Sequence, residues 1–196
     1  IDGLSFEVKR GEIFGIVGES GSGKSTLAKC IMNILKPDSG SIIYKGIDIW
    51  DRKAFTANKK MLNTSRQLIF QDSDSALDPR MKTADIIAEP MRIARITPEY
   101  GSVREAAIRI MEAVRLDQSY ADKYPSDMSG GQRQRAAIAR ALSMKPELII
   151  ADEALASLDV SVQAQIVNLF RKLQREYGFT LLFISHDKSM VRYLCD

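Results

Sequence analysis

The sequence predicts an α/β fold: a mostly parallel β-sheet covered by helices on both faces, with an inserted all-helical subdomain. Apolar strand-like runs alternate with helix-like segments, which is typical of parallel sheets. A glycine-rich stretch at 18–26 joins one buried run directly to a helix. Between residues 82 and 145 the pattern is helical throughout. We therefore expect a nucleotide-binding core made of 1–81 and 146–196, and a helical subdomain made of 82–145.

Each element is predicted from its own periodicity and composition. Runs rich in β-branched and aromatic residues predict strands at 4–8, 13–17, 41–46, 66–72, 148–151 and 179–185. Apolar residues three and four apart predict helices at 24–35, 83–95, 102–116, 130–144, 160–177 and 188–196. The inward faces of the first and the longest helix are predicted to carry Leu27, Ile31, Ile34 and Leu35, and Val162, Ile166, Leu169, Leu173 and Tyr177, respectively. Because the chain opens in a strand-like stretch and stops in a helix-like one, we expect a fragment trimmed at both ends.

Composition and charge restrict the functional class. The 196 residues suffice for one domain with a substantial core. The net charge of +3 is too small to indicate a nucleic-acid partner. No apolar run approaches the roughly 18 residues that a transmembrane helix needs. Cys30 and Cys195 lie far apart and match no metal-binding spacing, which favours a reducing compartment.

The stretch GESGSGKST matches the pattern G-x-x-x-x-G-K-[ST] between a buried strand and a helix. Its glycines let the backbone turn sharply, so that successive amides and the start of the helix face a phosphate group. Lys24 can neutralise the outer phosphates, and the Ser25 hydroxyl can bind Mg²⁺. The alternative, a turn with a solvated lysine, does not explain why strand, motif and helix coincide. We predict a P-loop NTPase that binds a nucleoside triphosphate through Gly18, Glu19, Ser20, Gly21, Ser22, Gly23, Lys24, Ser25 and Thr26.

Two adjacent acids, Asp152 and Glu153, follow the buried strand at 148–151. Since the carboxyl ends of neighbouring parallel strands meet at one edge of a sheet, we expect both acids near the glycine-rich stretch. Asp152 is assigned to Mg²⁺ binding, and Glu153 to orienting or deprotonating the water that attacks the γ-phosphate. The alternative is that one acid caps the next helix while the other is solvated.

Ser129, Gly130 and Gly131 begin a helix and offer a second anion site, because small residues leave free amides at the positive end of the helix dipole. One γ-phosphate cannot sit on both helix termini of a single chain if they lie in different subdomains. We therefore expect two chains placed head to tail, each completing the other's site in an isologous dimer. The alternative is a plain helix N-cap, and the presence of the glycine-rich stretch counts against it.

Together these motifs resemble the ATPase subunit of an ATP-binding cassette (ABC) transporter, in order and at suitable spacing over nearly the whole chain. The resemblance implies ATP as the nucleotide and adds further site residues. Gln71 would reach Mg²⁺ and the attacking water, and His186 would contact the γ-phosphate and position Glu153. Gln132 and Asp159 would belong to the site shared between two chains. The stretches DPRMKTADIIAEP and YPSDMSGGQRQRAAIARAL are most similar to dipeptide and oligopeptide importers, with nickel importers close by.

The sequence departs from the family pattern at two motifs. Met128 stands where Leu is usual, which keeps an apolar residue of similar volume. The stretch DEALASLD stands where the family commonly reads Asp-Glu-Pro-Thr-Ser-Ala-Leu-Asp, so Ala154 and Leu155 remove a fixed φ and a hydroxyl. Glu153 and Asp159 keep their spacing, so we expect the reaction to survive and the contacts across the dimer to change. The aromatic residue that stacks on adenine in this family would lie before the first residue.

The resemblance implies an ATP-hydrolysing subunit that powers an ABC importer for di- or oligopeptides. Its partners would be a second ATPase subunit, identical or sister, integral membrane permease subunits and, indirectly, a solute-binding protein, with no nucleic acid. Much of the surface that receives the permease would lie in 72–91, and the subunit would be peripheral on the cytoplasmic side of the cell membrane. Two alternatives stay open: an ABC ATPase of translation or chromosome maintenance, and an ATP-gated clamp that barely hydrolyses.

Overall fold

The computed structural model describes residues 3–71 and 76–195. Within those residues the strands are β1 (Ile13–Val17), β2 (Ile43–Tyr44), β3 (Ile47–Asp48), β4 (Arg66–Ile69), β5 (Leu148–Asp152) and β6 (Thr180–Ser185). The helices of the same residues are α1 (Lys24–Ile31), α2 (Arg52–Ser65), α3 (Thr83–Ile93), α4 (Val103–Ala113), α5 (Gly130–Leu142), α6 (Val160–Tyr177) and α7 (Lys188–Leu194). Two short 3-10 helices, Gln118–Tyr120 and Pro125–Asp127, precede α5.

Four parallel strands form the main sheet in the order β1–β6–β5–β4, and β2 and β3 form a separate antiparallel pair. The register pairs Val17 with Ser185 and Asp152 with Ile184, so the carboxyl ends of β1, β6 and β5 lie together. The predicted parallel sheet is confirmed. One detail differs from the expectation of neighbouring strands. Strand β6 lies between β1 and β5, so the strand that carries the two acids is not adjacent to the strand that precedes the glycine-rich stretch.

Both faces of the sheet are buried at its central strands, β5 and β6. Alternate residues of β5 and β6 pack into two separate clusters: Ile149, Ala151, Leu181 and Phe183 on one face, and Ile150, Leu182 and Ile184 on the other. The first cluster includes the inward side of α6, where Ile166, Leu169 and Leu173 are buried as predicted. Tyr177, predicted on that side, is 51% exposed, because it is the last residue of the helix.

Helix α1 is shorter than predicted, since it ends at Ile31 and not near residue 35. Asn33 has a left-handed backbone conformation with φ 56, which stops the helix two residues later. The side chains of Ile34 and Leu35, expected on the buried face, are therefore exposed.

A buried arginine and an indole fix the carboxyl end of α1. Arg66 is 1% exposed, and its guanidinium donates to the carbonyl of Ile31 and to Asn33 Oδ1. Trp50 Nε1 donates to the carbonyl of Cys30. Burial lowers the pKa of the Arg66 guanidinium below its ordinary value. Since cations at a helix carboxyl end interact favourably with the dipole, Arg66 stabilises the helix that follows the glycine-rich stretch.

Between β4 and β5, α3, α4 and α5 pack against one another. Ion pairs connect the start of α3 with α4 and with the segment before α5: Lys82 to Asp122 at 3.0 Å, Arg104 to Asp122 at 2.8 Å, and Arg104 to Asp85 at 3.4 Å. The division of the chain into 1–81, 82–145 and 146–196 stays a prediction. Among the helices of the described residues, none has both the length and the apolar character needed to cross a membrane.

Three further elements differ from the sequence prediction. Residues 4–8 form no strand, although the ring of Phe6 stacks on that of Phe14 with centroids 5.3 Å apart. The strand expected at 41–46 is reduced to β2 and its turn into β3. Helix α2 is missing from the prediction. Its apolar residues Ala54, Phe55, Met61 and Leu62 do recur at helical spacing, but most of its residues are polar, and only Leu62 and Ser65 are buried.

Candidate active site

The glycine-rich loop, residues 18–26, joins β1 to α1. Gly21 and Gly23 have left-handed backbone conformations, with φ 81 and 95, which residues with a side chain rarely adopt. Gly23 is the N-cap of α1 and provides no side-chain acceptor, so the first amides of the helix keep their hydrogen-bonding capacity. Those amides suit a phosphate group. The exposed residues of the loop are Glu19, Ser20, Gly21, Ser22 and Thr26.

Lys24 is the charged centre of the loop and is only 7% exposed. Its ammonium donates to the carbonyls of Gly18 and Glu19, at 2.8 Å each. It also lies 3.3 Å from Glu153 Oε1, at the far side of the sheet edge. A buried charge requires such partners. This ion pair is a feature that the sequence analysis missed, since it assigned Lys24 only to phosphate and Glu153 only to water.

Ser25 and Asp152 form the second contact between the loop and β5, because Ser25 Oγ donates to Asp152 Oδ1 at 3.0 Å. Burial raises the pKa of the Asp152 carboxyl above its ordinary value, and the charge of Glu153 acts in the same direction. The hydrogen bond from Ser25 and the charges of Lys29 and Lys24 oppose that shift.

These two side chains fit a Mg²⁺ ion. A hydroxyl and a carboxylate are the hard oxygen ligands that Mg²⁺ prefers, and the raised pKa means that the Asp152 carboxylate gains from a nearby cation. In the part of the chain that the structure describes, no three His, Cys, Asp or Glu side chains cluster as metal ligands. A pair of protein ligands suits an ion that keeps water and phosphate oxygens in its remaining positions.

Glu153 lies between the loop and the only histidine. Its amide donates to the carbonyl of Ile184 at 3.0 Å, and its backbone then turns left-handed, with φ 46. The side chain is 15% exposed, and Glu153 Oε2 lies 3.6 Å from His186 Nδ1. His186 follows β6, and its side chain is 60% exposed. Since a strained non-glycine residue persists only where its surroundings hold it, Glu153 is fixed by the fold in this position.

Gln71 lies at the same edge of the sheet. It follows β4, whose Ile69 pairs with Ala151 of β5, and its side chain is exposed. Residues 72–75, which begin the segment expected to receive the permease, lie outside the described residues.

The signature corner, residues 129–132, begins α5. The Ser129 side chain accepts a hydrogen bond from the amide of Gln132, and Gln132 Oε1 accepts one from the amide of Ser129, which is a capping box. Gln132 Nε2 also donates to the Tyr120 hydroxyl at 2.7 Å. In residues 3–71 and 76–195, no hydrogen bond or ion pair joins this corner to the glycine-rich loop. Ser129 is therefore the N-cap of α5, and the phosphate role of the corner stays a prediction.

The acid loop, residues 153–159, runs from Glu153 to the start of α6. Asp159 is the N-cap of α6 and accepts from the amide of Val162 at 3.0 Å, and this hydrogen bond lowers the pKa of the Asp159 carboxyl. The loop packs against the signature corner, because a Cβ on Gly130 would lie 3.2 Å from Leu158 Cδ2. Asp159 thus acts as a helix cap, and its predicted contact with a partner chain is compatible with its exposed position.

Gln163 is a second feature that the sequence analysis missed. It lies in the first turn of α6, and together with Glu153 and His186 it lines a cavity of about 60 Å³. The helical pattern places Gln163 beside the inward positions 162 and 166, but it does not indicate the contact with the acid loop.

Comparisons with known proteins place the chain in a family. Its fold is that of the P-loop NTPases: the ATP-binding cassette MJ0796, solved as a dimer in a post-hydrolysis state bound to ADP and Pi, superimposes with a TM-score of 0.82 and 30% identity over 96% of this chain and 80% of that one. CbiO1 from Clostridium perfringens, part of the ABC transporter complex cbiONQ, superimposes with a TM-score of 0.83 and 31% identity over 98% of this chain and 74% of that one. The family profile described as ABC transporter matches residues 1–156. The chain belongs to the ABC transporter family of ATP-binding cassettes.

Curated relatives narrow the resemblance. The chain is 46% identical over 199 residues to the putative oligopeptide transport ATP-binding protein YkfD of Bacillus subtilis (strain 168). The match covers all of this chain and 59% of the relative's length. The chain is also 46% identical over 198 residues to the oligopeptide transport ATP-binding protein OppF of the same organism, and here it spans 64% of the relative. The predicted similarity to oligopeptide importers is confirmed.

The raised pKa of Asp152 can be tested by comparing the stability of Asp152→Asn with that of the parent protein. Because folding buries this carboxylate, its ionised form is disfavoured in the native state, and the native state loses stability as the pH rises through the raised pKa. In metal-free buffer at pH 7 we expect Asp152→Asn to be more stable than the parent protein. The gain should disappear as the pH falls below the ordinary value of 3.8. Urea unfolding measured over this pH range checks it.

Asp117→Asn is the matched control for this test. Asp117 is an exposed cap whose pKa is lowered by hydrogen bonds from Ser119, so its replacement should reduce stability at pH 7. If Asp152→Asn were also less stable than the parent at pH 7 without metal, this would contradict the expectation that the buried, ionised Asp152 carboxylate destabilises the native state.

Proposed function

We propose that the full-length protein is the ATP-hydrolysing subunit of an ABC importer, with di- or oligopeptides as its cargo. One observation carries the enzymatic part: the Glu153 carboxylate lies 3.3 Å from Lys24 Nζ and 3.6 Å from His186 Nδ1, beside the glycine-rich loop. A carboxylate in that position can orient and deprotonate a water molecule next to a bound phosphate. The cargo follows from the relatives, which are named as oligopeptide transport proteins.

ATP binds with its outer phosphates on the loop amides and on Lys24. The ammonium then exchanges the carbonyls of Gly18 and Glu19 and the Glu153 carboxylate for phosphate oxygens. A triphosphate carries several negative charges, so its oxygens attract the ammonium more strongly than the neutral carbonyls do. The exchange also releases Glu153 from the ion pair, and its carboxylate becomes free to accept a proton from water.

Ser25 and Asp152 hold Mg²⁺, and Gln71 reaches the ion and the attacking water from the end of β4. The bound cation supplies charge neutralisation at the phosphate oxygens. Lys24 and the loop amides stabilise the charge of the phosphoryl group as it transfers. His186 contacts the γ-phosphate and orients Glu153, whose Oε2 lies 3.6 Å from the histidine ring.

Two subunits enclose two ATP molecules, so that the glycine-rich loop of one faces the signature corner of the other. Ser129, Gly130, Gly131 and Gln132 bind the partner's γ-phosphate, and Asp159 lies close to the partner's site. The proposal is supported by the dimer of the similar cassette MJ0796 and by the exposed position of Ser129 at the signature corner. Hydrolysis removes the bridging γ-phosphate, and the two subunits separate.

The membrane partners follow from the family. Permease subunits receive the motion of the dimer at a surface that includes 76–91, and a solute-binding protein delivers the cargo to them. The subunit is peripheral and lies on the cytoplasmic side of the cell membrane.

Glu153→Gln tests the hydrolytic role. The substitution keeps the size of the side chain and removes the base, so we expect turnover to fall by about 10²–10⁴-fold while ATP still binds and holds two subunits together. Steady-state hydrolysis and light scattering with Mg²⁺ and ATP measure both effects. Glu7→Gln, at an exposed position outside the site, is the control and should behave as the parent. Unchanged turnover in Glu153→Gln would remove this residue from its role.

A charge at the signature corner tests the shared site. Aspartate and asparagine are both good N-caps, so Ser129→Asp and Ser129→Asn should keep α5 intact. Only the aspartate repels a γ-phosphate brought by a second subunit. We expect Ser129→Asp to bind ATP normally and to lose dimer-dependent hydrolysis, whereas Ser129→Asn retains most of it. Equal hydrolysis in the two variants contradicts a phosphate contact at this corner.

A further inference from the structure

The acid loop leaves β5 through two consecutive turns. The carbonyl of Glu153 accepts from the amide of Ala156 at 3.1 Å, which closes a β-turn with Ala154 in its second position. The carbonyl of Leu155 accepts from the amide of Leu158 at 3.1 Å and closes the next turn. Because Glu153 is the first residue of this loop, the conformation of the turns sets the direction of its carboxylate.

The loop lacks the usual backbone restraint. Proline is favoured at the second position of such a turn because its ring presets φ, and the family motif commonly has proline there. Alanine has no such restraint, so the conformation must be held by contacts outside the loop. Ala154 and Leu155 are 1% and 2% exposed, so burial supplies part of the restraint.

Gln163 supplies the polar part. Its Nε2 donates to the carbonyl of Leu155 at 2.9 Å, so this carbonyl is bound both by the loop itself and by α6. The start of α6 is in turn stabilised by its N-cap, Asp159. Gln163 therefore ties the first turn of the loop to a capped helix.

The same side chain borders the space in which Glu153 acts. Gln163, Leu155, Glu153, Ser185 and His186 line the cavity of about 60 Å³. One water molecule requires about 10–15 Å³ of such volume, so the cavity has room for water. Gln163 thus contacts both the loop that carries the carboxylate and the space beside that carboxylate.

We propose that Gln163 is a positioning residue for ATP hydrolysis: by holding the carbonyl of Leu155, it fixes the acid loop and directs the Glu153 carboxylate at the attacking water. This inference rests on the proposed function. It assigns to Gln163 part of the restraint that alanine, unlike proline, does not give to this turn. Since a misplacement of about 1 Å can reduce a rate by about 10²-fold, the loss of one hydrogen bond in this loop affects turnover before it affects binding.

The test compares two glutamines of α6 in the full-length protein. Gln163→Met keeps the length of the side chain and removes the donor. Gln165→Met makes the same change two residues later, at an exposed position whose side chain accepts a hydrogen bond from Arg135. We expect kcat to fall by about tenfold in Gln163→Met, while KM for ATP and the thermal unfolding temperature match those of Gln165→Met.

A kcat equal to that of the parent protein, or an equal fall in both variants, overturns the proposal. A parallel rise in KM also overturns it, since the residue would then act on nucleotide binding. If Gln163→Met does not fold, Gln163→Asn, which is too short to reach Leu155, is judged by the same criteria. Glu153→Gln in the same assay distinguishes a failure of the proposed function from a failure of this inference. Unchanged turnover in Glu153→Gln refutes the proposed function. Reduced turnover in Glu153→Gln together with unchanged turnover in Gln163→Met refutes only this inference.

Discussion

The buried ammonium of Lys24 is the constraint on which the rest of the site depends. An unpaired charge in the interior costs roughly several kcal/mol, so the fold must supply acceptors around it. It does so with the carbonyls of Gly18 and Glu19 and with the carboxylate of Glu153. The glycine conformations in the loop and the left-handed turn at Glu153 are the backbone consequences of bringing these acceptors to one point. The acceptors that stabilise the lysine are also the groups that a phosphate would replace, so stability and nucleotide binding involve the same contacts.

The acid loop extends this arrangement to the signature corner of the same chain. The loop begins at Glu153 and ends at Asp159, and a Cβ on Gly130 would lie 3.2 Å from Leu158 Cδ2 within it. A Cβ on Gly131 would meet Val162 just beyond it. The two glycines therefore have a packing role in addition to the proposed phosphate role. Because interiors are densely packed, a shift of the loop would displace both the carboxylate of one site and the corner offered to the partner's site.

The sequence was sufficient wherever a local pattern decides the structure. The apolar runs at 13–17 and 148–151 form strands of the parallel sheet, and the glycine-rich loop lies between strand and helix as predicted. The position of the two acids near the loop was predictable from the strand ends, but the ion pair of Lys24 with Glu153 was not, because it depends on how the distant strands are arranged in the sheet. Helix α2 was not predicted because most of its residues are polar, and residues 4–8 form no strand despite their alternating pattern. The proposed role of Gln163 depends on its contact with the acid loop, and the helical periodicity of the sequence does not reveal that contact.

Nucleotide affinity measured on Lys24→Met tests the central claim most directly. Methionine fills the space of the lysine stem without its charge, and it leaves Glu153 without its ion-pair partner. We expect the full-length variant to lose measurable ATP binding by calorimetry, and the double variant Lys24→Met with Glu153→Gln to regain stability but not affinity. ATP bound by Lys24→Met as tightly as by the parent protein would contradict the account, because the phosphates would then not require the ammonium around which the site is built.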